Sequence, residues 1–148
     1  MTFGETGQIK HIFIRPRRRA PMQPRSQVII EAGRGIVEEK RRSKRRGITL
    51  IALEAWQAAL DELGADLPIQ SRRANFAVSG LELAPLIGQT IQLGDAIVKV
   101  RGETDPCHRM DEICPGLMQA LLPDCRGGVF GEVLRSGEVK IGDAIALL

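Results

Sequence analysis

The stretch Thr90 to Arg101, TIQLGDAIVKVR, is two short runs of β-forming residues split by Gly94-Asp95. That layout predicts two strands joined by a tight connection, with Gly-Asp supplying the turn. The centre of the stretch, Leu93-Gly94-Asp95-Ala96-Ile97, is echoed near the C-terminus as Ile141-Gly142-Asp143-Ala144-Ile145. Neither copy opens a helix, so the echo is expected to be a repeated corner of a β-structure rather than a phosphate loop.

Outward from this hairpin the same pattern continues. Ala74 to Val78, Val129 to Leu134 and Ile145 to Leu148 are further strand-like runs, and Gly80 and Gly88 punctuate the chain between the first of them and Thr90. Upstream, Gly7 to Ile14 (GQIKHIFI) predicts a strand ending at Pro16, with His11 a satisfied structural histidine, and Val28-Ile29-Ile30 suits another. Only one segment has clear helical periodicity. Leu53, Trp56, Leu60 and Leu63 recur at steps of three and four, which puts them on one face, with Thr49 as a cap near the start and Gly64 as the stop. Trp56 on that apolar face is read as packing. Many short strands and one long helix predict a mainly β fold with helices (α+β): a closed or partly open β-barrel carrying one long helix and short helical decorations. A parallel α/β sheet would need repeated helical crossovers, which the pattern does not supply. No boundary divides the chain, so residues 1–148 are expected to form a single domain.

Its 148 residues suit one domain able to bury a core without disulfides or metal. No apolar run approaches the roughly 18 residues of a membrane span, and the first residues, MTFGETGQIKHIFIRP, lack the layout of a secretory signal. A cytoplasmic location is the expectation. The three cysteines, Cys107, Cys114 and Cys125, form no C-x-x-C pair and have no matching histidine pair, so free thiols are expected and zinc is not.

The net charge of +3 conceals an asymmetry. Residues 15–46, a basic loop-rich segment, hold twelve arginines and lysines against Glu31, Glu38 and Glu39, which leaves the remainder of the chain acidic. Such a segment suggests an anionic partner. Single-strand binders stack bases on aromatic side chains, and a chain that is 3% aromatic with no tyrosine can hardly build that platform.

The densest run of chemically capable residues is Glu103 to Glu112, ETDPCHRMDE. Pro106 ends the preceding strand and places Cys107 near the start of a helical stretch, where backbone N–H groups and the neighbours His108 and Arg109 favour a thiolate. The four acidic residues of the run act against it. A reactive or metal-ligating Cys107 and an inert buried one both remain open on residue types alone. Arg72-Arg73, two residues ahead of Asn75 at a strand start, could clamp an anion or stand solvated at a strand end. Arg126-Gly127-Gly128 joins a guanidinium to backbone that a ligand can approach closely, which suits an oxyanion.

Taken in order, these pieces resemble a known family. Arg73-x-Asn75-x-x-Val78-x-Gly80-Leu81, Leu86-Ile87-Gly88, Leu93-Gly94-Asp95-Ala96, Pro106-Cys107, Arg126-Gly127-Gly128 and Gly137-x-Val139-x-Ile141-Gly142-Asp143 follow the pattern of MOSC domains. These domains close the eukaryotic molybdenum-cofactor sulfurases and also occur as small stand-alone bacterial proteins. The resemblance spans roughly Gly33 to Leu148. It implies a β-barrel and a functional cysteine at Cys107, which carries sulfur or ligates the molybdenum of a pterin cofactor. The candidate cofactor-binding residues are Arg72, Arg73, Asn75, His108, Arg126 and Gly127, of which Arg72, Arg73 or Arg126 could hold the phosphate of such a cofactor by charge-assisted hydrogen bonds. Pyridoxal phosphate, mentioned for the family, belongs to a fused desulfurase domain and is not expected here; nor is flavin or haem. One departure is plain. Many members carry a Gly-Asp-x-His-like loop before the long helix, where this chain has Gly35-Ile36-Val37-Glu38-Glu39-Lys40-Arg41-Arg42 and no histidine.

Two function classes follow. One is a protein that handles the molybdenum cofactor, as a sulfur carrier or as a small reductase of N-hydroxylated compounds served by a redox or sulfurtransferase partner protein. The alternative is a non-enzymatic module that holds nucleic acid or an acidic protein on its basic surface.

Overall fold

The computed structural model describes residues 7–40 and 43–148. Arg41 and Arg42 of the basic segment lie outside the described residues. In chain order the strands are β1 (Gly7–Ile14), β2 (Gln23–Arg25), β3 (Gln27–Glu31), β4 (Gly35–Ile36), β5 (Ile48–Ala52), β6 (Phe76–Ser79), β7 (Thr90–Leu93), β8 (Ala96–Glu103), β9 (Val129–Arg135), β10 (Gly137–Lys140) and β11 (Ala144–Leu147). The α-helices are α1 (Leu53–Leu63), α2 (Arg109–Ile113) and α3 (Leu117–Leu121).

Seven strands close a barrel in the order β11-β7-β8-β9-β5-β6-β1, with β1 pairing back to β11 and β2 added outside β1. Strands β10, β3 and β4 form a separate three-stranded sheet. Closure removes the exposed edges that an open sheet would present. All ladders are antiparallel except β5 with β6, which α1 and a 3-10 turn connect as a single crossover.

Alternation along the strands sorts side chains to two cores. Ile48, Leu50 and Ala52 of β5, with Phe76 and Val78 of β6, point into the barrel, where they meet Val98, Val100, Val129 and Ile145. Ile51 and Ala77, the intervening residues, face outward and pack under Trp56, Ala59 and Leu60 of α1 and Leu117 and Leu121 of α3. The long helix therefore lies on the barrel's outer face. Trp56 is buried and donates from Nε1 to the Leu67 carbonyl at 3.3 Å, in keeping with a packing role.

Two expectations change. The residue at the N-cap of α1 is Ala52, with no side-chain cap bond, because Ile48–Ala52 continues as a strand between β9 and β6. Thr49 sits inside that strand and serves the site described below. His11 is exposed on the outer side of β1, its ring stacked at 5.8 Å on Phe13, because a bulge between Ile9 and His11 shifts the alternation.

The Gly-Asp echo occupies two adjoining corners. Gly94-Asp95 is the two-residue connection of the β7–β8 hairpin, and Ile141 to Asp143 carries the chain from one sheet to the other. Leu93 of the first copy pairs with Ile145 of the second. Gly94 has φ 59°, and a Cβ there would stand 2.9 Å from the Glu138 carbonyl oxygen and 2.7 Å from Asp143 Oδ2, so glycine suits the corner where the two copies meet.

Candidate functional site: an arginine-lined cavity

Arg72 and Arg73 end the 3-10 turn Ile69–Arg72 and take opposite roles. Arg73 adopts φ 65°, a left-handed conformation unusual for a residue with a side chain. Arg72 is turned inward and buried. Its Nε donates to the Gly127 carbonyl and its terminal nitrogen to the Thr104 carbonyl, each at 3.0 Å. Among the described residues, no carboxylate is within ion-pair distance of it. Burial pushes the Arg72 guanidinium below its ordinary value; Cys107 opposes that shift and Arg46 adds to it. Burial and the neighbouring Arg15 also lower Arg73.

The space in front of these residues is a cavity of about 380 Å³. Four arginines line it, Arg15, Arg46, Arg72 and Arg73, together with Glu39, Asp105, Asn75, Thr49, Thr104 and Gly127. Arg15 extends from the end of β1, and its side chain reaches the Arg73 carbonyl at 3.4 Å. Arg46 is held by a chain of fits. Gly102 lacks the Cβ that would press on the Phe130 ring, the ring lies over β8, and the Arg46 guanidinium stacks on it at 4.6 Å from the centroid.

Asn75 ties the cavity wall together. Its Oδ1 accepts from the Thr49 N–H at 3.0 Å, and its Nδ2 donates to the Phe13 carbonyl at 3.2 Å and to Glu39 at 3.0 Å. Its backbone N–H donates to the Thr49 hydroxyl at 2.9 Å. Both amide hydrogens are thus used within the protein. Glu39 also accepts the Arg15 N–H at 2.7 Å, so the loop that lacks the family's histidine contributes a buried carboxylate here.

Cys107 is exposed, two residues beyond Asp105 of the cavity wall, and its carbonyl accepts the Met110 N–H of the turn that begins α2. His108 is exposed and does not line the cavity. Arg126 is directed elsewhere. It pairs with Glu62 at 2.7 Å and donates to the Ala120 carbonyl at 3.0 Å, which ties the loop before β9 to α1 and α3. It lines, with Cys125, Leu81, Leu83 and Pro85, a second and more apolar cavity of about 480 Å³. Cys125 is half-buried, and burial pushes its thiol up, helped by Glu103, Asp124 and Asp105. Cys114 ends α2 and packs against the outer core.

The structure therefore brings Arg72, Arg73, Asn75 and Gly127 to one cavity, with Cys107 close by, and leaves His108 and Arg126 outside it. Sequence reasoning missed Glu39, Thr104 and the placement of Arg15 and Arg46, which stood only as members of a basic run. The signal for Thr49 existed: Ile48 to Ala52 is a β-forming run, absorbed too early into the helix.

The fold is a small closed barrel that carries an arginine-lined cavity beside an exposed cysteine. The profile of the MOSC domain family matches residues 38–146, and the chain belongs to that family, which is associated with the molybdenum cofactor. Among solved structures, the YuaD protein from Bacillus subtilis aligns with a TM-score of 0.79 at 21% identity, over 97% of this chain and 96% of that one. YiiM from Geobacillus stearothermophilus aligns with a TM-score of 0.77 at 19% identity, over 96% and 75% of the two chains. YiiM from Escherichia coli gives 0.74 at 13% identity, over 95% and 69%. These likenesses establish the fold. No curated protein matches the sequence. Among the described residues no helix is long and apolar enough to cross a membrane.

Proposed function

We propose that this protein binds the molybdenum–pterin cofactor, its phosphate in the arginine cavity and its metal end toward Cys107. The observation that carries the reading is Arg72, a buried cation whose partners among the described residues are two carbonyls. A buried charge without a counter-ion is costly, and a bound anion would remove that cost.

Two further features fit the group. Thr104 Oγ1 is buried beside the cavity with no hydrogen-bond partner among the described residues, so a ligand oxygen or a water would satisfy it. No cluster of three or more His, Cys, Asp or Glu side chains stands ready for a bare ion among the described residues. A single soft thiolate at Cys107 suits a metal that arrives already chelated by its own organic ligand. The cofactor would supply oxygen-atom or sulfur chemistry at its metal; the protein's part is to hold and orient it. Arg72, Arg73, Arg15 and Arg46 grip the phosphate by charge-assisted hydrogen bonds, Asn75 and Glu39 keep that wall rigid, and Cys107 offers the sulfur. As a sulfur carrier it would receive its sulfur from a sulfurtransferase partner. As a reductase of N-hydroxylated compounds it would draw electrons from a partner protein.

The test is metal analysis of protein made in a host that synthesises the cofactor. Stoichiometric molybdenum, lost in Cys107→Ala while the fold is kept, is the expected result. Protein free of molybdenum that binds polynucleotide tightly, with affinity falling steeply as salt rises, would favour the basic-surface binding module instead.

A further inference from the structure

Phe130 is buried, yet it belongs neither to the core inside the barrel nor to the core beneath α1. A chain with four phenylalanines, one tryptophan and no tyrosine has few aromatic rings to place outside its cores. Strand β9 sets Phe130 between two partners, Thr49 of β5, which lines the arginine cavity, and Gly102 of β8. The ladder with β8 slips between Val100 and Gly102, and a Cβ on Gly102 would stand 3.0 Å from the ring. Two consecutive arginines sit over that ring, Arg46 at 4.6 Å from the centroid and Arg45 at 5.6 Å. Both fall within the roughly 6 Å reach of a cation–π contact. Of the two, Arg46 lines the cavity and Arg45 does not.

Arg46 needs such a hold. It is an exposed residue ahead of β5, and it stands near enough to Arg72 to push that guanidinium below its ordinary value. Repulsion from Arg72 and the pull of hydration both draw an exposed arginine out of the cavity. The negative face of an aromatic ring opposes them. A ring also holds a guanidinium without consuming its N–H groups. Arg72 spends two of its nitrogens on the Gly127 and Thr104 carbonyls, whereas an arginine held over a ring keeps its donors for an anion.

We propose that Phe130 is a positioning residue of the anion site, acting through Arg46, whose guanidinium it keeps at the cavity against the repulsion of Arg72. This rests on the anion-site reading above and adds to it the residue that places one of the four arginines. Phe130 does not line the cavity and touches no ligand there. Arg45, over the same ring but outside the cavity, contributes charge to the surface and nothing to the site.

The test is a double-mutant cycle read by titration with inorganic phosphate at fixed ionic strength. The proteins are the parent, Phe130→Leu, Arg46→Gln and the two combined, with Arg45→Gln as the control for charge alone. Phe130→Leu is expected to weaken phosphate binding about threefold in the parent, the worth of one cation–π contact at an exposed site. It is expected to change nothing once Arg46 is glutamine, and Arg45→Gln should stay within about twofold of the parent. A Phe130→Leu effect of equal size in both backgrounds would reduce the ring to packing and overturn the proposal. Arg45→Gln as damaging as Arg46→Gln would overturn it too, because bulk charge and not a ring-held arginine would then set the affinity. Either result leaves the anion site standing, while a parent that binds no phosphate overturns both readings. A measurement on the parent alone guards against a variant that fails to fold. The Arg46 side-chain protons should resonate upfield of those of exposed Arg18, shifted by the ring current of Phe130. An Arg46 that resonates with Arg18 would overturn the proposal by itself.

Discussion

Arg72 and Gly127 are 55 residues apart in the chain, and the Arg72 Nε donates to the Gly127 carbonyl at 3.0 Å. The contact leaves no room for a side chain on its acceptor residue. A Cβ at position 127 would stand 2.9 Å from the Thr104 carbonyl oxygen, 3.2 Å from the Arg72 terminal nitrogen and 3.3 Å from Pro106 Cδ. The glycine in Arg126-Gly127-Gly128 thus admits a protein guanidinium, which in turn faces the cavity.

Gly127→Ala is therefore expected to displace Arg72 and the start of the Pro106-Cys107 segment together. Overpacking of this kind costs about 1–3 kcal/mol. Urea unfolding should show a loss in that range, and a phosphate titration should show weaker binding. Unchanged stability with unchanged binding would mean that the Arg72 contact does not shape the site.

Arg73 offers the opposite combination. Its left-handed backbone, φ 65°, costs a residue with a side chain about 1–2 kcal/mol, while glycine enters that region freely at a smaller entropic penalty. Arg73→Gly should leave stability within about 1 kcal/mol of the parent. Its phosphate affinity should fall by about tenfold, the effect of losing one charge-assisted hydrogen bond. A variant that binds as tightly as the parent would remove Arg73 from the anion site.

The three thiols should separate by reactivity. Cys107 is exposed, whereas Cys114 and Cys125 are half-buried. In metal-free protein near neutral pH, a maleimide or iodoacetamide should label Cys107 first and Cys125 more slowly, because burial and the carboxylates of Glu103, Asp124 and Asp105 keep the Cys125 thiol protonated. Mass mapping of partly labelled protein gives the order. Labelling of Cys125 ahead of Cys107 would count against Cys107 as the functional sulfur.

Cys125 also sets a direction for alkaline stability. Its folded-state pKa lies above the ordinary value of 9.0, so between the two the folded protein keeps a proton that the unfolded chain has released. Its contribution is fully present below the ordinary value and is lost as pH rises through the folded one. Cys125→Ser should flatten the fall in urea midpoint above about pH 9. An identical slope in both proteins would show that this thiol is not held up.

Short strands broken by Gly94-Asp95 and Gly142-Asp143, the helical face of Trp56 and Leu60, and the order of family fragments around Pro106-Cys107 are all local patterns. Periodicity and turn chemistry act over a few residues, so the chain carries them without knowledge of its partners. The excess of positive charge in residues 15–46 belongs to the same level. What these patterns do not encode is convergence. Arg15, Arg46 and Arg72 meet only because β1 pairs with β6, β5 with β6 and β9, and the barrel closes from β1 to β11. Tertiary packing likewise occupied both amide hydrogens of Asn75 within the wall and drew Arg126 to Glu62 instead of the cavity. Each of those outcomes depends on partners at least 25 residues away or on a single bulge or left-handed residue that redirects a side chain, and no local period carries that information.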